Sequence, residues 1–336
     1  VSKKGCRYFT DSRYIESAEA GIKYFEVLPI NQFTGFIKRI NDAIEDYDLM
    51  LQMQLSSVSA FLNTETLSPC LRANYGTGIL SSLFGAELFI MPRHMNTLPT
   101  TKPFDDPGIC AKLIENGIPD LHRGLGEKVF AFGEYAAELL AKYPKVQKYA
   151  VMYHPDLQGP LDICELLWGS ELFYAMYDEP ELLTEIIEAA DAFWTKLGLK
   201  LIVFMKKWQE MFPPEPDMNP HWGNIFHRGT ILLRCDSAMN VSPNFYSEFS
   251  VPYDKRLLDT FGGGAMHFCG RGDHYVDQLC SLDGMYGVNM SQPEYNDMEV
   301  IYRATGDKGI PLLGFSRQRA ESDKVRNGCF SHNLHS

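Results

Sequence analysis

A histidine and a cysteine two residues apart, His267 and Cys269 in MHFCG at 266–270, close an apolar, strand-like segment that follows three consecutive glycines. Positions i and i+2 of a β-strand project from one face, so the imidazole and the thiol point the same way and can share one metal ion. Zinc takes about four ligands of this kind, and a catalytic zinc leaves one position for water or substrate. Two donors do not complete such a site. Cys280 falls well down the helix expected next, facing the core, whereas Cys329 stands beside Gly328, so Cys329 is the expected third ligand. In the plainer reading both cysteines are small buried apolar residues and His267 is a hydrogen-bonded core histidine.

Three further segments carry usable groups. YHPDLQGP at 153–160 offers Tyr153 as a proton donor, His154 as a titratable base or further ligand, and Asp156 as a carboxylate, all ahead of a Gly-Pro turn. LRCDSAMNVSP at 233–243 ends a strand on Asp236, which is placed to accept a proton or to orient a ligand, or else serves as a turn aspartate. NPHWGNIFHRG at 219–229 sets His221, Trp222, His227 and Arg228 among Gly and Pro; Trp222 can stack on a planar ligand.

These groups need a scaffold that brings strand ends together. Apolar runs at 49–55, 148–154, 230–236, 265–269, 285–290 and 310–315 read as buried strands, and helical patterns at 126–142, 163–177, 180–208, 244–260 and 273–282 fall between most of them. Ser242 is the expected cap of the helix that opens at Pro243. Alternation of this kind implies a parallel sheet, and the chemistry gathers at strand carboxyl ends, where a (β/α)8 TIM barrel builds its active site. The glycine runs GTG at 76–78 and GGG at 262–264 lack the spacing of a dinucleotide-binding turn. No repeat or flexible linker divides the chain. Residues 1–336 are therefore read as one domain, with 1–40 as a helical extension at its start.

Bulk properties restrict the partners. Lys and Arg number 31 against 43 Asp and Glu, a formal net charge of -12, the wrong sign for wrapping nucleic acid or for adsorbing to anionic lipid. The longest apolar stretch, 201–205, runs directly into Lys206 and Lys207, far short of the roughly 20 residues a membrane helix needs. Eight scattered cysteines without a regular short spacing suggest a reducing compartment, so a cytoplasmic protein is expected. No basic-then-apolar leader opens the chain, and because position 1 is Val the native amino terminus is expected to be absent or processed.

Three segments in order resemble the uroporphyrinogen decarboxylase superfamily: LQGPLDICELLWGSELFYAMYDEPELLTEIIE at 157–188, VSPNFYSEFSVPYDKRLLDTF at 241–261, and MHFCG. The resemblance spans about residues 40–330 and implies a (β/α)8 barrel, with a homodimer compatible with it. True decarboxylases of the superfamily work without metal, holding a tetrapyrrole through an amino-terminal arginine motif and an aspartate near the second strand. This chain has neither the motif nor any Asp between Leu51 and Phe104. Asn74 stands near the expected place, and an amide cannot accept a proton; with Trp222 it is expected to line a cofactor pocket.

The other branch contains zinc-dependent, corrinoid-linked methyltransferases. Their zinc is held by a histidine and cysteine in H-x-C and a later cysteine, similar to His267, Cys269 and Cys329 here. The resemblance thus implies methyl transfer between a small-molecule donor or acceptor and a corrinoid such as methylcobalamin, carried by a partner protein. Tyr153, His154 and Asp236 would supply the catalytic groups. One departure is NGCFSHNLHS at 327–336, which lacks the proline-rich continuation expected after the third cysteine. Two alternatives accompany this reading: a metal-free tetrapyrrole decarboxylase, and a catalytically silent barrel that binds a corrinoid or other small ligand.

Overall fold

In the computed structural model of the chain, residues 39–61, 70–106, 108–144, 151–178, 180–214, 219–222, 225–316 and 330–333 are described. Residues 1–38 of the helical extension expected at 1–40 and the expected ligand Cys329 fall outside them.

The strands are β1 Cys70–Leu71, β2 Leu88–Phe89, β3 Thr100–Thr101, β4 Val151–Met152, β5 Asn219–His221, β6 Ile225–His227, β7 Ile231–Arg234, β8 Gly264–Phe268, β9 Met285–Met290, β10 Leu312–Ser316 and β11 Phe330–Asn333. Five of them form a parallel sheet in the order β11-β10-β9-β8-β7, so each strand lies beside its neighbour in sequence. Helices Val251–Phe261, Val276–Leu279 and Met298–Ala304 make the crossovers. β1 and β4 pair in parallel as a separate ribbon. A parallel bridge between Gln158 and Arg234, and a 2.9 Å hydrogen bond from Gly159 N to the Arg234 carbonyl, lay the segment after β4 along the free edge of β7. β2–β3 and β5–β6 are antiparallel hairpins. The chain is thus a mixed α/β fold with parallel sheets, and none of its described helices is long and apolar enough to cross a membrane.

Strand alternation divides the apolar residues between two faces. Ile231, Leu233, Met266, Phe268, Val288 and Leu312 join the large core shared with the helices. Leu232, Ala265 and Leu313, one position out of phase, form a smaller cluster on the opposite face with Ile225 of β6, and Trp222 packs against it. The β5–β6 hairpin therefore covers the face of the sheet turned away from the main helical core.

Several expected elements change on folding. Residues 49–55 belong to the helix Tyr47–Phe61 rather than to a strand. Leu, Met and Gln there are good helix formers, and Met50, Leu51 and Leu55 share the buried side. The helix expected over 163–177 is two helices, Pro160–Trp168 and Glu171–Asp178, broken at Gly169, whose φ of 73° ends the first. That over 244–260 breaks at Ser250, because Pro252 cannot continue the preceding turn. Ser242 caps the first of these pieces as expected, accepting from Phe245 N. The longest helix is Pro180–Met211; it buries Ile186, Ala190, Phe193, Trp194, Leu197, Leu201 and Phe204 at helical spacing, while Leu182 in its first turn stays exposed.

Gly159 has a φ of -65°, which any residue tolerates, yet a Cβ there would sit 2.5 Å from the Arg234 carbonyl oxygen. Gly159→Ala should therefore cost about 1–3 kcal/mol through that single close approach. Urea denaturation checks this, and an unchanged midpoint would show that the turn does not press on β7.

Candidate metal-binding site

The register across β7, β8 and β9 places Arg234, His267 and Asn289 side by side, one residue from each strand end. His267 is buried. Asn289 donates from Nδ2 to the Leu313 carbonyl at 2.6 Å, so its amide oxygen must face the imidazole, where it accepts from His267 Nδ1 at 2.5 Å. That assignment puts the ring proton on Nδ1 and leaves the Nε2 lone pair unprotonated, the arrangement in which a second group orients a ligating histidine.

Cys269 Sγ lies 3.4 Å from His267 Nε2, and Asp236 Oδ1 lies 3.7 Å from the same nitrogen. The donor atoms of Asp236, His267 and Cys269 all fall within 4.8 Å of one another, close enough to hold one ion. Asp236 Oδ1 also accepts from Cys269 N at 2.7 Å, which ties the ends of β7 and β8 together. Asp236 is itself held from behind: the buried Asp162 carboxylate accepts from Asp236 N and Ser237 N, at 3.1 and 2.8 Å.

Burial governs the protonation states. It pushes the Cys269 thiol up and the His267 imidazole down, the latter against the pull of Asp236, so without metal the pair is thiol and neutral ring. Burial and then the Asp236 charge raise Asp162 to about 7. Further in, Asp254 is fully buried; its Oδ2 accepts from Ser250 and Tyr246 while its Oδ1 has no partner, and burial raises it to about 7 as well. An oxygen, a nitrogen and a sulfur donor together suit zinc, and binding would release the Cys269 proton.

A second wall adjoins this group. Arg72 and Arg234 both donate to Asp156 Oδ1, the latter at 2.6 Å, and the three side chains are 12%, 14% and 8% exposed. The Arg234 guanidinium lies 4.7 Å from the centre of the Trp222 indole, whose edge-to-face contact with His267 spans 5.0 Å. Trp222 has a φ of 50°, in the left-handed region that a bulky residue rarely adopts. Behind Trp222 run three buried imidazoles. His221 Nε2 lies 3.0 Å from His154 Nε2, and His227 Nε2 lies 2.9 Å from His221 Nδ1. Tyr153 meets His221 edge-on at 5.0 Å and sits beneath Arg72.

Of the residues singled out from the sequence, Asp236, His267 and Cys269 come together, with Trp222 against them. Tyr153 and His154 belong to the adjoining wall, and His154 Nε2 accepts from Leu232 N at 2.8 Å, replacing a backbone partner on the edge of β7. Asn74 has a backbone contact to Met50 Sδ and a buried side-chain oxygen without a partner; among the described residues no hydrogen bond joins it to the group. Cys280 is buried in the main core, where its thiol is pushed up to about 12. Arg72, Arg234 and Asp162 carried no motif, whereas Asn289 is one of the polar strand-end residues that the sequence marks as usable chemistry. The available signal was position, since Arg234 and Asn289 stand at strand ends and Asp162 follows the Gly-Pro turn.

Searches find no matching family model and no matching curated protein. Among solved structures, a methyltransferase from Methanosarcina mazei has a similar fold, with 14% sequence identity, a TM-score of 0.54, and coverage of 83% of this chain and 72% of that one. At that identity the likeness concerns the fold.

The buried acids give a pH signature. Asp254, raised from 3.8 to about 7, binds its proton more tightly in the folded chain, so it adds stability below pH 4 that is lost as pH rises through 7. Burial lowers His154 and His227 to about 4, which has the opposite slope: they cost stability as pH falls from 6.5 toward 4. Asp254→Asn removes one term, so the stability of the variant relative to the parent should rise between pH 4.5 and 7 by up to about 1.4 kcal/mol per unit. Urea titrations at the two pH values measure it; parallel curves would mean that Asp254 is ionised throughout.

Proposed function

We propose that this chain is a zinc-dependent methyltransferase on a closed (β/α)8 barrel, moving a methyl group between a corrinoid and a thiol or an O- or N-methyl compound. The convergence of Asp236, His267 and Cys269 carries this reading, because they are three donors of the kinds zinc accepts, with the histidine already in the ligating tautomer. The fold likeness to a methyltransferase supports it. Asp236 takes the place first given to Cys329, which becomes a candidate fourth donor. The bridge from Gln158 to Arg234 supports closure, since it aligns the β1–β4 ribbon with the edge of the five-stranded sheet.

A bound zinc ion supplies Lewis acidity that keeps a coordinated thiol ionised at neutral pH. The chain does the rest. Cys269 yields its proton on binding, His267 contributes a neutral lone pair fixed by Asn289, and Asp236 adds a negative charge held in place by Asp162. Trp222 closes the flank against water. Arg72 and Arg234 each have five N–H donors and direct one at Asp156, so the wall can also hold an anionic substrate group. Tyr153 and His154 back that wall. A corrinoid carrier protein is the expected partner, and a reducing cytoplasm would keep Cys269 free.

Elemental analysis of the purified chain tests the site. Near-stoichiometric zinc is expected, lost in His267→Ala, Cys269→Ser and Asp236→Asn. Zinc retained in Asp236→Asn but lost in Cys329→Ser would return the third position to the cysteine, and zinc absent from the parent would end the metal reading. Methylcobalamin should lose its methyl group to a member of a thiol panel in the presence of the loaded protein. A metal-loaded chain inert to the whole panel would remove the thiol branch of the proposal.

A further inference from the structure

Cys269 is followed by a permissive stretch of backbone, with glycines at 270 and 272. Neither place admits a side chain: Gly270 has a φ of 72° and a Cβ there would meet Met239 Sδ at 2.7 Å, while a Cβ at Gly272 would meet the Phe268 ring at 2.5 Å. Glycine loses the most conformational freedom when a turn is fixed, so the order of this turn has to come from a neighbour. The neighbour is the segment 291–297, which joins β9 to the helix Met298–Ala304. Asn296 Oδ1 accepts from Gly272 N at 2.7 Å and from Asp273 N at 3.0 Å. Its Nδ2 donates to the Gly270 carbonyl at 3.0 Å and to the Gln292 carbonyl at 2.8 Å, so both N–H groups and both oxygen lone pairs of one carboxamide are engaged. Gln292 Oε1 accepts from Gly270 N at 2.7 Å, and Asp273 Oδ2 accepts from Asp297 N at 2.8 Å.

We infer that Asn296 and Gln292 are positioning residues for Cys269, holding the turn at 270–273 so that the thiol stands beside His267 before any ion arrives. The purpose of this placement rests on the metal reading above; the placement itself does not. Cys269 N is held by Asp236 Oδ1 at 2.7 Å and the next N–H, that of Gly270, by Gln292, so the backbone is secured on both sides of the Cys269 Cα. Asn296 fixes the following carbonyl and with it the left-handed conformation of Gly270. Sγ then rests 3.4 Å from His267 Nε2 and 3.4 Å from Ser291 Oγ. Asp236 follows β7, Cys269 follows β8, and Gln292 and Asn296 follow β9, so the thiol is set from the ends of three successive strands. Without the two amides an incoming ion would have to order the glycine turn itself, and its affinity would fall by that entropy.

Chelator competition for zinc and cobalt(II) spectroscopy of the full chain test this. Asn296→Ala and Gln292→Ala should each weaken zinc binding about 10- to 100-fold. With cobalt(II) as the probe, both should lose intensity in the thiolate-to-metal absorption, and Gln292→Glu, which keeps an oxygen for Gly270 N, should recover it. Alanine variants with the parent's affinity and spectrum, even at a lowered urea midpoint, would overturn the inference by showing that the amides only stabilise the fold. A readout without metal separates this result from the metal reading. In metal-free protein, iodoacetamide should alkylate Cys269, followed by peptide mass, faster in both alanine variants than in the parent. A parent that binds neither ion would end the metal reading, and the alkylation rates would still decide the placement, equal rates refuting it. If Asn296→Ala does not fold, the two Gln292 variants carry the same tests.

Discussion

Register is the constraint on which the site depends. Arg234, His267 and Asn289 stand in one row because β7, β8 and β9 keep their parallel pairing to the last residue. A slip of one position would turn His267 into the helical core and bring Phe268 to the opposite face. Asn289 then converts this placement into chemistry: its amide oxygen cannot rotate away from His267 without breaking the bond to Leu313, so the imidazole has one available tautomer. The donor set is therefore organised by backbone hydrogen bonds of the sheet, relayed through one side chain.

The sequence disclosed the residues that obey a local rule. His267 and Cys269 share a face because strands alternate, Ser242 caps a helix because its oxygen reaches Phe245 N, and the strands at 264–268 and 285–290 follow their apolar runs closely. What stayed hidden depends on distant pairs. Asp236 reads as a proton acceptor or ligand-orienting group, and not as a donor of the His267–Cys269 cluster, until the β7–β8 register puts it beside Cys269. The grouping of Arg72 with Arg234 needs the bridge that lays residue 158 along β7, and no pattern within either segment implies it. Residues 49–55 misread for a different reason: their Leu and Met positions satisfy both a period of two and a helical stripe, and contacts with the rest of the core select the helix.

Electrostatics in the two walls follow contrasting solutions to burial. Around Asp156 charge is retained, with two guanidinium groups on one carboxylate oxygen, and the arginines hold Asp156 below its ordinary range despite burial. Around Cys235 charge is disfavoured: burial raises the Cys235 thiol, Asp162, Asp254 and the Tyr246 and Tyr275 hydroxyls, each toward its neutral form. Asp236 lies where these regimes meet, half-exposed and close to both. A cation entering there would find a negative partner already oriented by Asp162 rather than one that must be recruited from solvent.

The order of the strands has a consequence for assembly. From β7 to β10 every sheet neighbour is the next strand along the chain, so each pairing closes a comparatively short loop, whereas β1 must wait for β4 across the whole intervening helical region. Loop-closure entropy favours the carboxyl-terminal strands as the earlier nucleus. The Asp236–His267–Cys269 cluster would then exist in outline before the β1–β4 ribbon docks, and the arrival of Arg72 would be the last step that seals its flank.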